Sequence, residues 1–294
     1  MKKIILSALL MAATSFTAPP LSAAPDAPLI ARSTLFGNPS RSQLRVSPDG
    51  KWLSWLAPRD GVMNVWIAPA GDIAKAKPYT SEKERPIGQH FWSGDSSMIL
   101  YVQDKGGDEN FLLYGVDVAT GKERLLTPFE KTRVQLVGTS HQYKDRILVG
   151  INNRDARWHD VHLLDLKSGK LTEVMRGDGF AGFLADDTLT VRLALGPNEA
   201  GGYDFFRVAN AKAEEKPFAS TSLEDALTTN PAGFTNDGKI LYWLDSRGRD
   251  TAALVAQDVE SGKTSIIAEN PRADIGGTLT DPRTGKVEAY SVEY

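Results

Sequence analysis

A repeat of turn motifs, with a period close to 48 residues, constrains this sequence more than any other feature. The repeated openings are Ser47-Pro48-Asp49-Gly50, Ser93-Gly94-Asp95 and Asn236-Asp237-Gly238. The repeated ends are Asp117-Val118-Ala119-Thr120-Gly121, Asp165-Leu166-Lys167-Ser168-Gly169 and Asp258-Val259-Glu260-Ser261-Gly262. The first two ends start 48 residues apart, and the third follows after 93, close to two periods. A fixed period of this length indicates repeated supersecondary units.

Short apolar runs rich in β-branched and aromatic residues lie between these turns. Such runs, bounded by Gly, Asp and Asn, are typical of strands joined by hairpins. The clearest pairs are 51–57 with 64–68, 98–103 with 111–118, 147–151 with 161–166, 188–195 with 203–208, and 240–244 with 252–259. Four strands in roughly 40–50 residues make one propeller blade. We predict an all-β fold, a β-propeller of four-stranded blades, with 222–227 as its one short helix.

The number of units predicts how much of a propeller the chain contains. Five complete blades extend from about residue 43 to residue 268, and a turn at 281–286 with a strand at 287–292 begins a truncated sixth. Because propellers close into rings that protect their strand edges, the sequence is expected to be part of a longer protein. The predicted organisation is an N-terminal arm, 24–42, followed by an incomplete propeller, 43–294.

The N-terminus has the pattern of a signal peptide. Met1-Lys2-Lys3 is basic, residues 4–13 form an apolar run too short to span a bilayer, and small residues follow. We predict cleavage after Ala23, so that 1–23 is removed; an uncleaved membrane anchor is the alternative. The mature chain is then periplasmic or secreted and makes no contact with a membrane.

Composition excludes several functions. The chain has 34 Lys and Arg against 37 Asp and Glu, a net charge of −3, so it lacks the basic field that nucleic-acid binding requires. It has no cysteine, which excludes disulfides, thiolate zinc sites and a cysteine nucleophile. We predict no cofactor and no metal.

Four segments resemble one family of exported enzymes. Residues 29–39, 47–53, 103–110 and 152–160 are similar to the start and the first blades of prolyl oligopeptidase-family serine peptidases, in the acylaminoacyl-peptidase or dipeptidyl-aminopeptidase-like branch. The resemblance implies a propeller, typically of seven blades, that precedes an α/β-hydrolase domain with a Ser-Asp-His triad and gates peptide access to it. The Ser-Pro-Asp-Gly element also resembles repeats of the propeller of the Tol-Pal system.

The sequence contains no Gly-x-Ser-x-Gly nucleophile elbow and no alternation of strands and helices to carry one. The family's catalytic residues therefore have no counterparts here, and we expect the chain to be inactive alone. It is interpreted as the substrate-gating, non-catalytic propeller portion of an exported peptidase, which meets its peptide substrate through a hydrolase domain. The alternatives are a free-standing periplasmic propeller that binds a protein partner and a fragmented gene product with no retained function.

Charged turns at equivalent places in three blades are the candidate binding residues. They are Asp108, Glu109 and Asn110 in the second blade, Arg154, Asp155, Arg157 and His159 in the third, and Arg247 in the fifth. Arginine offers a two-pronged donor to carboxylates, and the acids suit an amino group or an arginine of another domain. The alternatives are solvated turns with internal ion pairs and, for the second-blade turn, calcium.

Two further sequence patterns resemble ligand-binding motifs but are better explained by structural roles. Gly177-Asp178-Gly179-Phe180-Ala181-Gly182 has the spacing of a dinucleotide-binding loop, but a strand follows it where such a loop needs a helix. We interpret it as a turn between blades. His159 and His162 are three residues apart on a predicted strand, which places them on opposite faces and argues against a shared metal.

Overall fold

The structure is a computed structural model and describes residues 29–292 and 294. The chain divides into two compact units, Met1–Asn38 and Pro39–Tyr294. The described part of the first contains helix α1, Arg32–Phe36. The predicted signal peptide and the arm as far as residue 28 lie outside the described residues. Within the described part of the chain, no helix has the length and apolar character that crossing a membrane requires.

The second unit consists of antiparallel sheets whose strands follow one another in chain order. The first blade contains β1 (Ser42–Val46), β2 (Trp52–Arg59), β3 (Val62–Pro69) and β4 (Lys77–Pro78), with a 3-10 turn at Ile73–Lys75. The second contains β5 (His90–Trp92), β6 (Met98–Gln103), β7 (Leu112–Asp117) and β8 (Glu123–Leu125). The third contains β9 (Val134–Gly138), β10 (Arg146–Asp155), β11 (Trp158–Asp165) and β12 (Leu171–Met175).

The later sheets continue this pattern. The fourth blade contains β13 (Gly182–Ala185), β14 (Val191–Pro197), β15 (Tyr203–Ala209), β16 (Lys212–Ala213) and β17 (Ala219–Ser220), the last two both paired with β15. The fifth contains β18 (Asn230–Phe234), β19 (Ile240–Asp245), β20 (Ala253–Asp258) and β21 (Thr264–Ala268). A two-stranded sheet follows, β22 (Ile275–Thr280) with β23 (Val287–Val292). The predicted all-β propeller, five full blades and part of a sixth, is confirmed.

The predicted helix at 222–227 is wrong, because residues 223–228 form turns that connect the fourth blade to the fifth. Asp225 explains the difference. Its carbonyl oxygen accepts hydrogen bonds from the backbone N–H groups of Thr228 and Thr229, and its carboxylate accepts one from Ser246 of the fifth blade at 2.8 Å. An aspartate whose side chain is engaged in this way stabilises a turn better than a helix interior.

The core lies between neighbouring blades, and strand alternation assigns each side chain to one side or the other. In β6, Ile99 packs with the first blade, whereas Met98 and Leu100 pack with the third. In β10, Ile147 and Val149 pack with the second blade, and Leu148 packs with the fourth. Because successive side chains of a strand point to opposite faces, a continuous apolar run covers both faces of the sheet. This explains why the sequence has runs of apolar residues in place of alternating polar ones.

The repeated motifs of the sequence close the turns between strands. Ser47 donates to the Asp49 carboxylate at 2.6 Å and accepts from the N–H of Trp52 between the first and second strands. Between the third and fourth strands of the second blade, Asp117 accepts from the backbone and the hydroxyl of Thr120, and Gly121 has a φ of +71°. Short polar side chains and a left-handed glycine are the residues that such turns require.

The order of antiparallel strands fixes which turns share an end of the sheets. Turns between first and second strands lie at one end, together with turns between third and fourth strands. Turns between second and third strands lie at the other end, together with the connections from each blade to the next. We call this second set the charged rim; it includes residues 104–111, 156–157 and 246–252 and the connections near residues 79–89 and 176–181.

Candidate functional site

Arg154 ties the third-blade turn of the charged rim to the connection that follows the blade. Its guanidinium donates to both carboxylate oxygens of Asp160, at 2.6 and 2.7 Å, and to Asp178 at 2.7 Å. The Asp160 side chain is only 2% exposed and also accepts from the N–H of Gly177. The hydrogen bonds from Arg154 lower the pKa of Asp160, and those to Asp160 raise the pKa of Arg154. The Nε and Nη2 groups of Arg154 are therefore engaged by this chain's own carboxylates.

The glycine-rich segment 177–182 is the turn between the third and fourth blades, as the sequence indicated. A Cβ at Gly177 would collide with the carbonyl of His159, so the close approach of the two backbones requires glycine. Gly179 has a φ of +85°, and strand β13 starts at Gly182 where a dinucleotide-binding loop would need a helix.

Asp155 and Arg157 form a second ion pair at the tip of the same turn. Arg157 donates to Asp155 from its side chain, at 2.8 and 3.1 Å, and from its backbone N–H at 3.0 Å. These hydrogen bonds lower the pKa of Asp155 to about 2. The Arg157 side chain remains 75% exposed and lies over the ring of Trp158. It is the arginine of this turn that solvent or a ligand reaches most easily.

The second-blade turn contains its own network. Asp108 accepts from the backbone N–H and the side-chain amide of Asn110, at 3.0 and 3.1 Å, and these bonds lower its pKa. Glu109 has a φ of +60°, and its N–H donates to Asp104. Among the described residues, its exposed carboxylate has no hydrogen bond or ion pair. Buried Asp104 pairs with Arg85 of the preceding connection at 3.2 Å.

Arg247 of the fifth-blade turn is also engaged locally. It donates to both oxygens of Asp245 at 2.8 Å and lies 5.3 Å from the centre of the Trp243 ring. Burial acts to raise the pKa of Asp245, but the hydrogen bonds from Arg247 outweigh it and the pKa is lowered. Nη1 of Arg247 also donates a hydrogen bond to the carbonyl of Ser220, in the preceding blade, at 3.4 Å. The residue stabilises a turn and the junction of two blades.

Arg133 links the second- and third-blade turns. It lies in the connection between these blades, with its guanidinium over the ring of Phe111, and its N–H donates to Asn152 at 2.6 Å. His159 lies close by, and burial, together with the charge of Arg133, lowers its pKa. The His159 Nε2 atom is buried and has no hydrogen-bond partner within the described part of the chain. The candidate turns of these two blades therefore occupy one continuous surface.

The sequence did not indicate a cavity that lies at the other end of the sheets. It has a volume of about 1080 Å³ and is lined by the first strands and first turns of successive blades. Representative lining residues are Arg45, His90, Lys144, Asp187, Asn236 and Arg283. The first strands are short and contain few repeated motifs. The only feature of the sequence that could have indicated the cavity is the set of basic residues that flank the first turns. Across residues 29–292 and 294, no group of three or more histidine, aspartate or glutamate side chains is arranged to hold a metal.

Two proteins of known name are similar in sequence to most of this chain. The chain is 51% identical over 267 residues to dipeptidyl aminopeptidase BIII of Pseudoxanthomonas mexicana, an alignment that covers 90% of the chain and 39% of that protein. It is 26% identical over 281 residues to dipeptidyl peptidase family member 6 of Caenorhabditis elegans, covering 90% of the chain and 38% of the relative. In sequence, the chain resembles the propeller region of prolyl oligopeptidase-family peptidases. It spans less than half the length of these two relatives. No protein-family profile matches it.

The fold comparison gives the same architecture. The propeller domain of the trilobed protease from Pyrococcus furiosus aligns with a TM-score of 0.55 and 18% identity, covering 82% of this chain and 73% of that domain. At this identity the similarity shows the propeller fold alone. The sequence-based resemblance to the prolyl oligopeptidase family is confirmed by the sequence relatives.

Proposed function

We propose that this chain is the substrate-gating, non-catalytic propeller portion of an exported peptidase of the prolyl oligopeptidase family. The observation that carries the proposal is the 51% identity, along 90% of the chain, to a dipeptidyl aminopeptidase of which the chain spans 39%. The sequence itself contains no nucleophile elbow. The catalytic groups would thus belong to the part of the relative that this chain does not span.

The gating would work by exclusion and orientation. A ring of blades admits short extended peptides and excludes folded proteins, while the charged rim contacts the peptide termini. Two rim residues suit this role because they are exposed: Glu109, whose carboxylate is unpaired within the described residues, and Arg157, whose side chain is 75% exposed. Glu109 would accept a peptide's amino group, and Arg157 would donate to a carboxylate. Their two turns are held by Asp108 and Asn110 and by Arg154 and Asp155. Arg247 holds the turn of the fifth blade.

Export forms part of the same proposal. It rests on the pattern of a basic start, a short apolar run and small residues at 1–23. We propose a periplasmic or secreted location, which suits a peptidase that acts on peptides outside the cytoplasm.

A chimera tests the proposed function. The segment of the Pseudoxanthomonas relative that aligns with this chain is replaced by this chain's sequence, and release of dipeptides from short peptides is measured. We expect the chimera to be active, and we expect the chain alone to be neither active nor labelled by a fluorophosphonate. In the chimera, Glu109→Gln is expected to raise KM about tenfold with little change in kcat, since it removes one charge-assisted contact to bound substrate.

Glu260→Gln is the matched control, because Glu260 is an exposed acid in a turn at the other end of the sheets. A folded chimera without activity would contradict the peptidase role and favour the alternative, a free-standing propeller that binds a protein partner. Equal KM values for the two variants would remove Glu109 from the proposal while leaving the peptidase role intact.

A further inference from the structure

The cavity opposite the charged rim has the location of a binding site. Residues from all six sheets contribute to its wall, from Arg45 in the first to Arg283 in the last. Neighbouring first turns are joined around it by hydrogen bonds. The His141 N–H donates to Asp187 at 2.7 Å, and the Asn236 side chain donates to the Pro282 carbonyl at 2.9 Å. The wall is therefore fixed by contacts between blades.

The charge of this wall is predominantly positive. Arg45, Lys144 and Arg283 line it, whereas Asp187 is the one carboxylate among the lining residues. Arg283 pairs with Asp281 at 2.9 Å. Arg45 and Lys144 are exposed, and neither side chain makes a hydrogen bond or an ion pair to any residue that the structure describes. Two cations without local partners in one concave wall attract an anionic ligand.

The same wall contains polar atoms that lack partners. His90 Nδ1, Trp92 Nε1 and Asp187 Oδ2 are buried without a hydrogen bond, three of the four such side-chain atoms among the described residues. His90 uses its other ring nitrogen to bond Ser54 at 2.9 Å. Buried polar groups without partners cost free energy that a ligand with complementary groups recovers. They show that polar groups in this wall are left unsatisfied by the described part of the chain.

We propose that this cavity binds a short acidic peptide, whose carboxylates pair with Arg45 and Lys144. A volume of about 1080 Å³ is at the upper end of the range for drug-sized ligands. The amide side chains of Gln89, Gln142 and Asn236 line it as well, and these groups match the N–H and C=O groups of a peptide backbone. Phe91 and Leu136 add apolar surface. Apart from Gln89, the lining residues lie outside the charged rim, and the proposal does not depend on the function proposed for the rim.

The test measures binding of two probes to the purified full chain, by isothermal titration calorimetry at low ionic strength. The probes are acetylated and amidated tetraglutamate and the matched tetraglutamine peptide. We expect tetraglutamate to bind and tetraglutamine to bind at least tenfold more weakly. The double variant Arg45→Gln/Lys144→Gln is expected to weaken tetraglutamate binding by at least thirtyfold, and the affinity of the unaltered chain is expected to fall as salt is raised.

Arg176→Gln/Lys212→Gln is the control, because it removes the same kinds and number of charges from exposed sites outside the cavity. It should bind tetraglutamate as the unaltered chain does. The proposal is overturned if tetraglutamate does not bind, if both peptides bind equally, or if the two double variants lose the same affinity. Circular dichroism of each variant separates loss of binding from loss of fold. The binding result is independent of the chimera experiment, so an inactive chimera would not change its interpretation.

Discussion

Replacing Arg154 with methionine is expected to lower the Tm of the chain by roughly 6–10 °C. Asp160 is 2% exposed and receives two hydrogen bonds from Arg154, so the substitution leaves a buried carboxylate with the Gly177 N–H as its remaining donor. Removing one partner of a buried ion pair lowers the free energy of unfolding far more than removing one partner of a surface pair. Methionine retains most of the aliphatic contact, so the change isolates the charge. Thermal unfolding followed by circular dichroism at pH 7 measures it.

Arg157→Met is the matched control in the same turn. Its ion pair with Asp155 is at the surface, where such pairs contribute little, and a Tm change within about 2 °C is expected. The double variant Arg154→Met/Asp160→Asn is expected to recover part of the loss, because a neutral amide is cheaper to bury than an unpaired carboxylate. Equal losses for the two arginine variants would show that Asp160 does not need its partner.

Lowering the pH below 6.5 is expected to destabilise the chain through His90. Burial, together with the nearby charge of Arg45, lowers the pKa of His90 from the usual 6.5 to about 4. Between these values the unfolded chain binds a proton that the folded chain excludes, so stability falls as the pH falls from 6.5 towards 4. The expected loss from this residue is on the order of 2–3 kcal/mol at pH 4.5 relative to pH 7. Urea unfolding at a series of pH values measures it.

His90→Gln is expected to flatten this dependence, because its amide can still bond Ser54 and does not titrate. Arg45→Gln removes a positive charge that disfavours the protonated ring, so it should reduce the loss between pH 7 and 4.5. His141→Gln, at a histidine whose side chain is 62% exposed, is the matched control against which the effect of His90→Gln is compared. An unchanged slope in His90→Gln would contradict the assignment to this residue.

The fold followed from the sequence because its determinants are local. Ser47, Asp49 and Trp52 lie within five residues, and their hydrogen bonds close the turn that their pattern predicts. Asp117, Thr120 and Gly121 do the same at the other kind of turn. The helix at 222–227 was the exception, since the partner that holds Asp225 in a turn is Ser246, on the next blade. A local pattern contains no information about such a partner.

The candidate site was predicted less completely, for the same physical reason. Equivalent turn positions indicated one shared surface, and Arg133 joins two of the turns there. The sequence did not distinguish Arg154 from Arg157. In the structure, Arg154 donates hydrogen bonds to Asp160 and Asp178, whereas the side chain of Arg157 remains exposed. It also gave no indication of the cavity, whose wall combines residues from all six sheets.

By itself, then, the sequence determined the repeat, the strands, the turns between them and the family resemblance, because each depends on neighbours a few residues apart. The tertiary structure alone decided which charges are free to bind. Arg45 and Lys144 are 99 residues apart in the chain, and only the arrangement of blades around one opening places both in the same wall. The spatial relation between blades depends on side-chain packing between sheets, which the repeated motif of one blade does not specify.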